Sequence, residues 1–117
     1  MSYARVFQLH VGDLRPLLVA HMFVAETSTP YIGTGLLSAK FWLLNLATNV
    51  LKVTAVAAAI TAANPLVLTY AWAGTDTDTA GRFASWFVGY WGATDTVPET
   101  FEGPEVLIAT AGTRLVW

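Results

Sequence analysis

Apolar residues fall along this chain in short runs rich in β-branched and aromatic side chains, each closed by a cluster of Gly, Pro, Asn, Asp or Thr. The runs are Ala4 to Leu9, Pro16 to Ala25, Leu36 to Leu46, Val50 to Ile60, Leu66 to Trp72, Arg82 to Trp91 and Glu105 to Ala109, with a further candidate from Thr113 to Trp117. The breakers between them are Gly12-Asp13, Glu26 to Gly35, Thr48-Asn49, Ala63-Asn64-Pro65, Gly74 to Gly81, Gly92 to Thr96 and Glu102-Gly103-Pro104. Turn signals recurring about every 8–12 residues predict an all-β sandwich or barrel of about seven or eight strands.

The clearest strand is Arg82 to Trp91. Alternation puts Phe83, Ser85, Phe87, Gly89 and Trp91 on one face and Trp86, Val88 and Tyr90 on the other. Both faces are substantially apolar, whereas a strand with one face in water should alternate with polar residues. The second face is therefore expected to be covered, by a neighbouring subunit. The weakest strand is the Ala-rich piece Val56-Ala57-Ala58-Ala59-Ile60, whose composition also suits a short helical turn. As a strand it reads first as a thin part of the core, and otherwise as a place where another layer or subunit comes close.

Composition sharpens this picture. The chain has 117 residues, the usual size of one domain, so 1–117 is read as a single sandwich. Apolar residues make up 55% and charged residues 12%, against roughly 45–50% and about 25% for an ordinary soluble domain. That excess of apolar side chains must lie exposed or be covered by a partner. The six basic residues are scattered singly and the net charge is −2, so no basic footprint for nucleic acid is present. Without cysteine, packing rather than disulfides or thiolate metal sites must hold the fold. No export signal is read at the N-terminus. The apolar stretch from Phe41 to Trp72, in a chain of mean hydropathy +0.52, is interrupted by Asn45, Asn49, Lys52, Asn64 and Pro65, so no membrane span is expected.

The candidate chemistry is sparse. Thr75-Asp76-Thr77-Asp78-Thr79 offers two carboxylates and three hydroxyls, which could gather around calcium. It lacks the Gly and distal Glu of an EF-hand loop, and Asp and Thr side chains hold tight turns by bonding nearby amides, so Asp76 and Asp78 are expected to be structural. His10 and His21 stand eleven residues apart with no HxH or HExxH spacing, and surface or interface roles are expected for both. No GxGxxG, GxxxxGK[ST] or GxSxG occurs. The reading is no enzyme, no cofactor, no metal and no small-molecule substrate. Trp42, Trp72, Trp86, Trp91 and Trp117 could form a sugar-stacking platform, but core and interface packing explains them with fewer assumptions.

From Leu66 onward the residues resemble a known family. Leu66-Val67-Leu68-Thr69-Tyr70-Ala71-Trp72, then Asp76-Thr77-Asp78-Thr79-Ala80-Gly81-Arg82-Phe83, the alternating strand to Val88, and Thr96-Val97-Pro98 look like the phage baseplate upper protein N-terminal domain. That family has a strand ending in aromatics, a "DTxxxG" turn followed by Tyr or Phe, an alternating strand and a closing "T-hydrophobic-P". The first half fits more loosely: Gly12-Asp13, Pro30 to Gly35 and Ala39 to Leu43 resemble its "GD", "G-x-P-x-D-L-x-G" and "V-x-F" stretches, with Ile32-Gly33-Thr34-Gly35 in place of the Asp-Leu-Thr-Gly core. Gly81-Arg82-Phe83 is also similar to the tyrosine corner of immunoglobulin-like domains, with Phe83 where the tyrosine would stand.

The resemblance implies an immunoglobulin-like β-sandwich of antiparallel strands in a tailed-bacteriophage virion, as a connector, neck, head-decoration, tail or baseplate module. Its partners would be other virion proteins and copies of itself in a homo-oligomer, ring or shell. Trp86, Val88, Tyr90, Trp91 and the C-terminal Trp117 are the interface candidates, and Asp76, Asp78, Gly81 and Phe83 the structural-turn candidates.

Overall fold

A computed structural model describes residues 6–15, 17–22, 29–91 and 98–110. Among them the chain is all-β, with no helix and seven strands: β1 (Val6–His10), β2 (Leu18–His21), β3 (Ser38–Asn45), β4 (Val50–Ala63), β5 (Leu66–Tyr70), β6 (Gly81–Tyr90) and β7 (Pro98–Ala109). They form one sheet in the order β1-β7-β6-β3-β4-β5-β2. The two edge strands each send a fully buried leucine, Leu9 from β1 and Leu18 from β2, into the same apolar cluster. The sheet therefore curls on itself, close to a barrel, with one core inside.

Two expectations are corrected here. The strands are not all antiparallel: β1 runs parallel to β7, with Val6 opposite Glu105 and His10 opposite Ala109. First and last strand pair at one end of the sheet order, a long-range pairing that no local pattern encodes. Glu102-Gly103-Pro104 is not a break either, for β7 runs through it as a β-bulge. Trp86 pairs with Glu102 and Ala84 with Glu105, and the Ser85 hydroxyl donates to the Pro104 carbonyl at 2.5 Å. A proline, which has no N–H to give the ladder, is tolerated at such a bulge. A Cβ on Gly103 would come within 2.5 Å of Ser85 Oγ, so the close approach requires glycine there.

The Ala-rich piece is strand, not helix. β4 is 14 residues long and changes partner along its length, pairing with β3 from Val50 to Ala58 and with β5 from Ala59 to Ala63. Ala55, with φ +52°, sits within this strand at a register shift against β3, between Val53 opposite Leu43 and Val56 opposite Phe41. The β3–β4 turn is built on Asn45, whose side-chain oxygen accepts from the amides of Ala47 and Thr48 at 2.9 and 3.3 Å. Asn49 closes it at φ +57°, a conformation asparagine adopts more readily than most residues.

The core is aromatic at its centre. Phe41, Phe83 and Phe87 are 0% exposed. Phe41 stacks on Tyr70 at 4.2 Å between ring centroids and meets Trp72 edge-on at 5.8 Å. These contacts tie β3 to the end of β5 and the segment after it, and Phe41 also meets Phe87 of β6 at 5.0 Å. The expected run Thr113 to Trp117 lies outside the described residues, and so do Ala4, Arg5 and the breaker Gly92 to Thr96.

Candidate functional site

β6 presents two apolar faces. Phe83, Ser85, Phe87 and Gly89 are buried and point inward, while Ala84, Trp86, Val88 and Tyr90 are half-buried and point outward. Its neighbours extend the outer face. Trp42 of β3 pairs with Trp86, Lys40 with Val88 and Leu44 with Ala84, while on the other side Glu102 of β7 pairs with Trp86 and Thr100 with Val88. The rings of Trp42 and Trp86 lie parallel, 6.0 Å apart with 8° between their planes, and Lys40 Nζ sits 5.2 Å from the centre of the Tyr90 ring. Directly opposed residues on one face of a sheet are near enough for such contacts.

The result is a strip with an aromatic middle and charged flanks: Lys40 on the β3 side, Glu102 and Glu105 on the β7 side. Arg82 reaches Glu105 through its Nε at 2.7 Å. Beside the bulge a depression of about 560 Å³ opens, with Leu46, Trp86, Thr100, Glu102 and Pro104 on its walls. Trp42 Nε1 is itself buried, with no acceptor among the described residues. An aromatic centre with a polar rim is the anatomy of a protein interface.

Trp86, Val88 and Tyr90 thus share one surface, and Trp91 separates from them. It turns to the core side beside Gly35, and its Nε1 donates to Glu99 Oε1 at 3.2 Å. The same carboxylate oxygen accepts from the Tyr31 hydroxyl at 2.6 Å, and Tyr31 meets Phe101 edge-on at 5.0 Å. Glu99 therefore pins the loop before β3 to the start of β7. Burial, followed by the Glu99 carboxylate, pushes the Tyr31 hydroxyl up to about 12. Trp117 lies outside the described residues.

The two aspartates of the β5–β6 turn have separate partners. Asp76 is buried, and its Oδ2 accepts from the Tyr70 hydroxyl at 2.5 Å and from the Ala73 amide at 2.8 Å. Burial, and then Asp76, raises the Tyr70 pKa well above the usual tyrosine value. Asp78 faces outward to Lys52 and Thr79, and its carboxyl is held below the usual range by the bond from Lys52. Thr77 closes the turn against the end of β1: its hydroxyl donates to the Asp13 carbonyl at 3.0 Å, and its own carbonyl accepts from the Gly12 amide at 2.9 Å. Gly81 opens β6 at φ +149°, a conformation that favours glycine, and Phe83 is a core ring. The hydroxyl that secures this corner belongs to Tyr70, and its only signal in the sequence is a tyrosine six residues before an aspartate in a turn.

His10 ends β1 with Nδ1 3.8 Å from Asp13 Oδ2, and His21 ends β2, exposed. Among the described residues, no group of three or more His, Asp or Glu side chains converges on one point, and no helix is long and apolar enough to cross a membrane.

Searches for similar proteins returned no matching family model, no matching curated protein and no matching solved structure.

Proposed function

We propose that this chain is a structural component of a tailed-bacteriophage virion, a connector, neck, head-decoration, tail or baseplate module that acts by protein–protein assembly rather than by catalysis. The observation that carries the assembly reading is the outer face of β6. Trp42, Trp86, Val88 and Tyr90 form an aromatic and aliphatic strip on the outside of a domain whose core already holds Phe41, Phe83 and Phe87. The particle is suggested by the resemblance of Leu66 to Pro98 to the baseplate upper protein N-terminal domain. The same reading takes the curled sheet as an immunoglobulin-like sandwich with β4 as its shared strand, since the two halves of β4 serve different neighbours.

Sedimentation of the chain across a dilution series, alone and with the products of its neighbouring genes, tests the assembly. Oligomers or co-assemblies that Trp86→Ser abolishes are expected, beside genes for capsid, portal or tail proteins. A monodisperse monomer at high concentration in every mixture overturns the reading.

A carbohydrate-binding module is the second reading. It rests on the parallel Trp42–Trp86 pair beside a depression with Thr100 and Glu102 at its wall, a flat apolar surface bordered by hydrogen-bonding groups. Selective signal on a glycan array, lost in Trp86→Ser, would favour it.

A further inference from the structure

We infer that the outer face of β6 pairs with the same face of a second copy, about a two-fold axis running along β6 between the two sheets. This rests on the assembly reading above and adds to it the partner and the register. Charge of opposite sign flanks the aromatic middle on its two sides. Lys40 lies on the β3 side, in the Val88 row of the ladder, and Glu102 lies on the β7 side, in the adjoining Trp86 row.

A two-fold along β6 exchanges the two sides. It lays β3 of one copy over β7 of the other and brings each Lys40 within one row of the partner's Glu102, twice per dimer. A two-fold across the strands instead lays β3 over β3 and β7 over β7. The lysines then stay over one side and the glutamates over the other, unlike charges two strands apart, roughly 10 Å at the usual strand spacing. Of the two, the first sets Lys40 beside the partner's Glu102, while Arg82, also outward on β6 and near the axis, stays bound to Glu105 of its own chain; like charges brought together at an interface are strongly disfavoured. It also keeps strand directions nearly aligned, as packed sheets prefer. Trp86, Val88 and Tyr90 then meet their own counterparts along the axis, at the centre where aromatic anchors contribute most. Thr100 and the exposed Ala57, which pair with Val88 and Lys40 on either side, are small enough to let the second sheet approach.

Charge reversal in trans tests the register. Lys40→Glu and Glu102→Lys are prepared separately, and self-association is measured by sedimentation for each alone and for an equimolar mixture. Each variant alone is expected to dissociate roughly tenfold or more readily than the wild type, and the mixture to recover wild-type association. In the mixed dimer the introduced glutamate faces the introduced lysine, and the unaltered Glu102 of one chain faces the unaltered Lys40 of the other. Such recovery between different chains has no explanation within one chain. In a second measurement, Val88→Cys in this otherwise cysteine-free protein is expected to link to itself with a short bismaleimide, while Val19→Cys, on exposed edge strand β2, is not. A mixture no more associated than its parts, or two variants associating like wild type, overturns the pairing. A wild type that stays monomeric alone, yet joins another chain through a surface sensitive to Trp86→Ser, overturns the self-pairing while leaving the assembly reading intact.

Discussion

The two faces of β6 are built from similar residues and held in different ways. Inward, Phe83 and Phe87 are 0% exposed, Phe87 lies against the Phe41 ring of β3, and Gly89 leaves room for Leu36 and Phe101. Outward, Trp86, Val88 and Tyr90 are half-buried and stand beside directly opposed residues on β3 and β7. An interior gains stability from filling space on every side, whereas a single sheet face covers itself only laterally and leaves the tops of its side chains to water or to a partner. Apolar composition alone does not make a core; a second layer does.

This difference predicts a graded set of effects. The largest is for Phe87→Ala, which leaves a cavity among Phe41 and its neighbours and should cost about 3–5 kcal/mol of folding stability in denaturant titrations. A loss below about 1 kcal/mol would mean that the inner face is no better packed than the outer. Next is Gly89→Ala. Its new Cβ would lie 2.8 Å from Leu36 Cδ1 and 2.9 Å from Phe101 Cε2, so a loss of about 1–3 kcal/mol is expected by the same measurement.

The third concerns charge on the inner side. Tyr31, raised from 10.0 to about 12, and Tyr70, raised by burial and Asp76, both ionise more readily in the unfolded chain than in the folded one. The Tyr31 contribution is whole below about pH 10 and is lost as pH rises toward 12, and that of Tyr70 is lost over a still higher range. Melting temperature should fall across that window, and Tyr31→Phe should flatten part of the fall. The smallest effect on folding is expected at the outer face: Trp86→Ser should cost the isolated domain less than about 2 kcal/mol, its stack on Trp42 plus modest burial, while abolishing association. Equal losses for Trp86→Ser and Phe87→Ala would erase the distinction between the faces.

Much of this was legible along the chain because the side-chain period of a strand is local. The alternation from Arg82 to Trp91 told Phe83 and Phe87 from Trp86, Val88 and Tyr90, and it placed Trp91 on the Phe side, where its ring packs. The first half of β7 was missed: Pro98 to Phe101 fell in no apolar run and Glu102-Gly103-Pro104 read as a break, since bulges and strand-initiating prolines carry the same residue types as turns. Asp76 was expected to hold its turn by bonding amides; it does bond the Ala73 amide, but its closest partner is the Tyr70 hydroxyl, which spacing in sequence does not reveal.

The sequence by itself determined the all-β character, most strand positions and the two-faced nature of β6, because strand propensity, turn chemistry and period-2 alternation act over a few residues. Only the tertiary structure decided that β1 pairs in parallel with β7, that β4 serves β3 with one half and β5 with the other, and that Lys40 and Glu102 flank a common strip from opposite sides. These depend on which distant strands become neighbours, and that is set by how the whole apolar surface can be buried at once rather than by any segment's own preference.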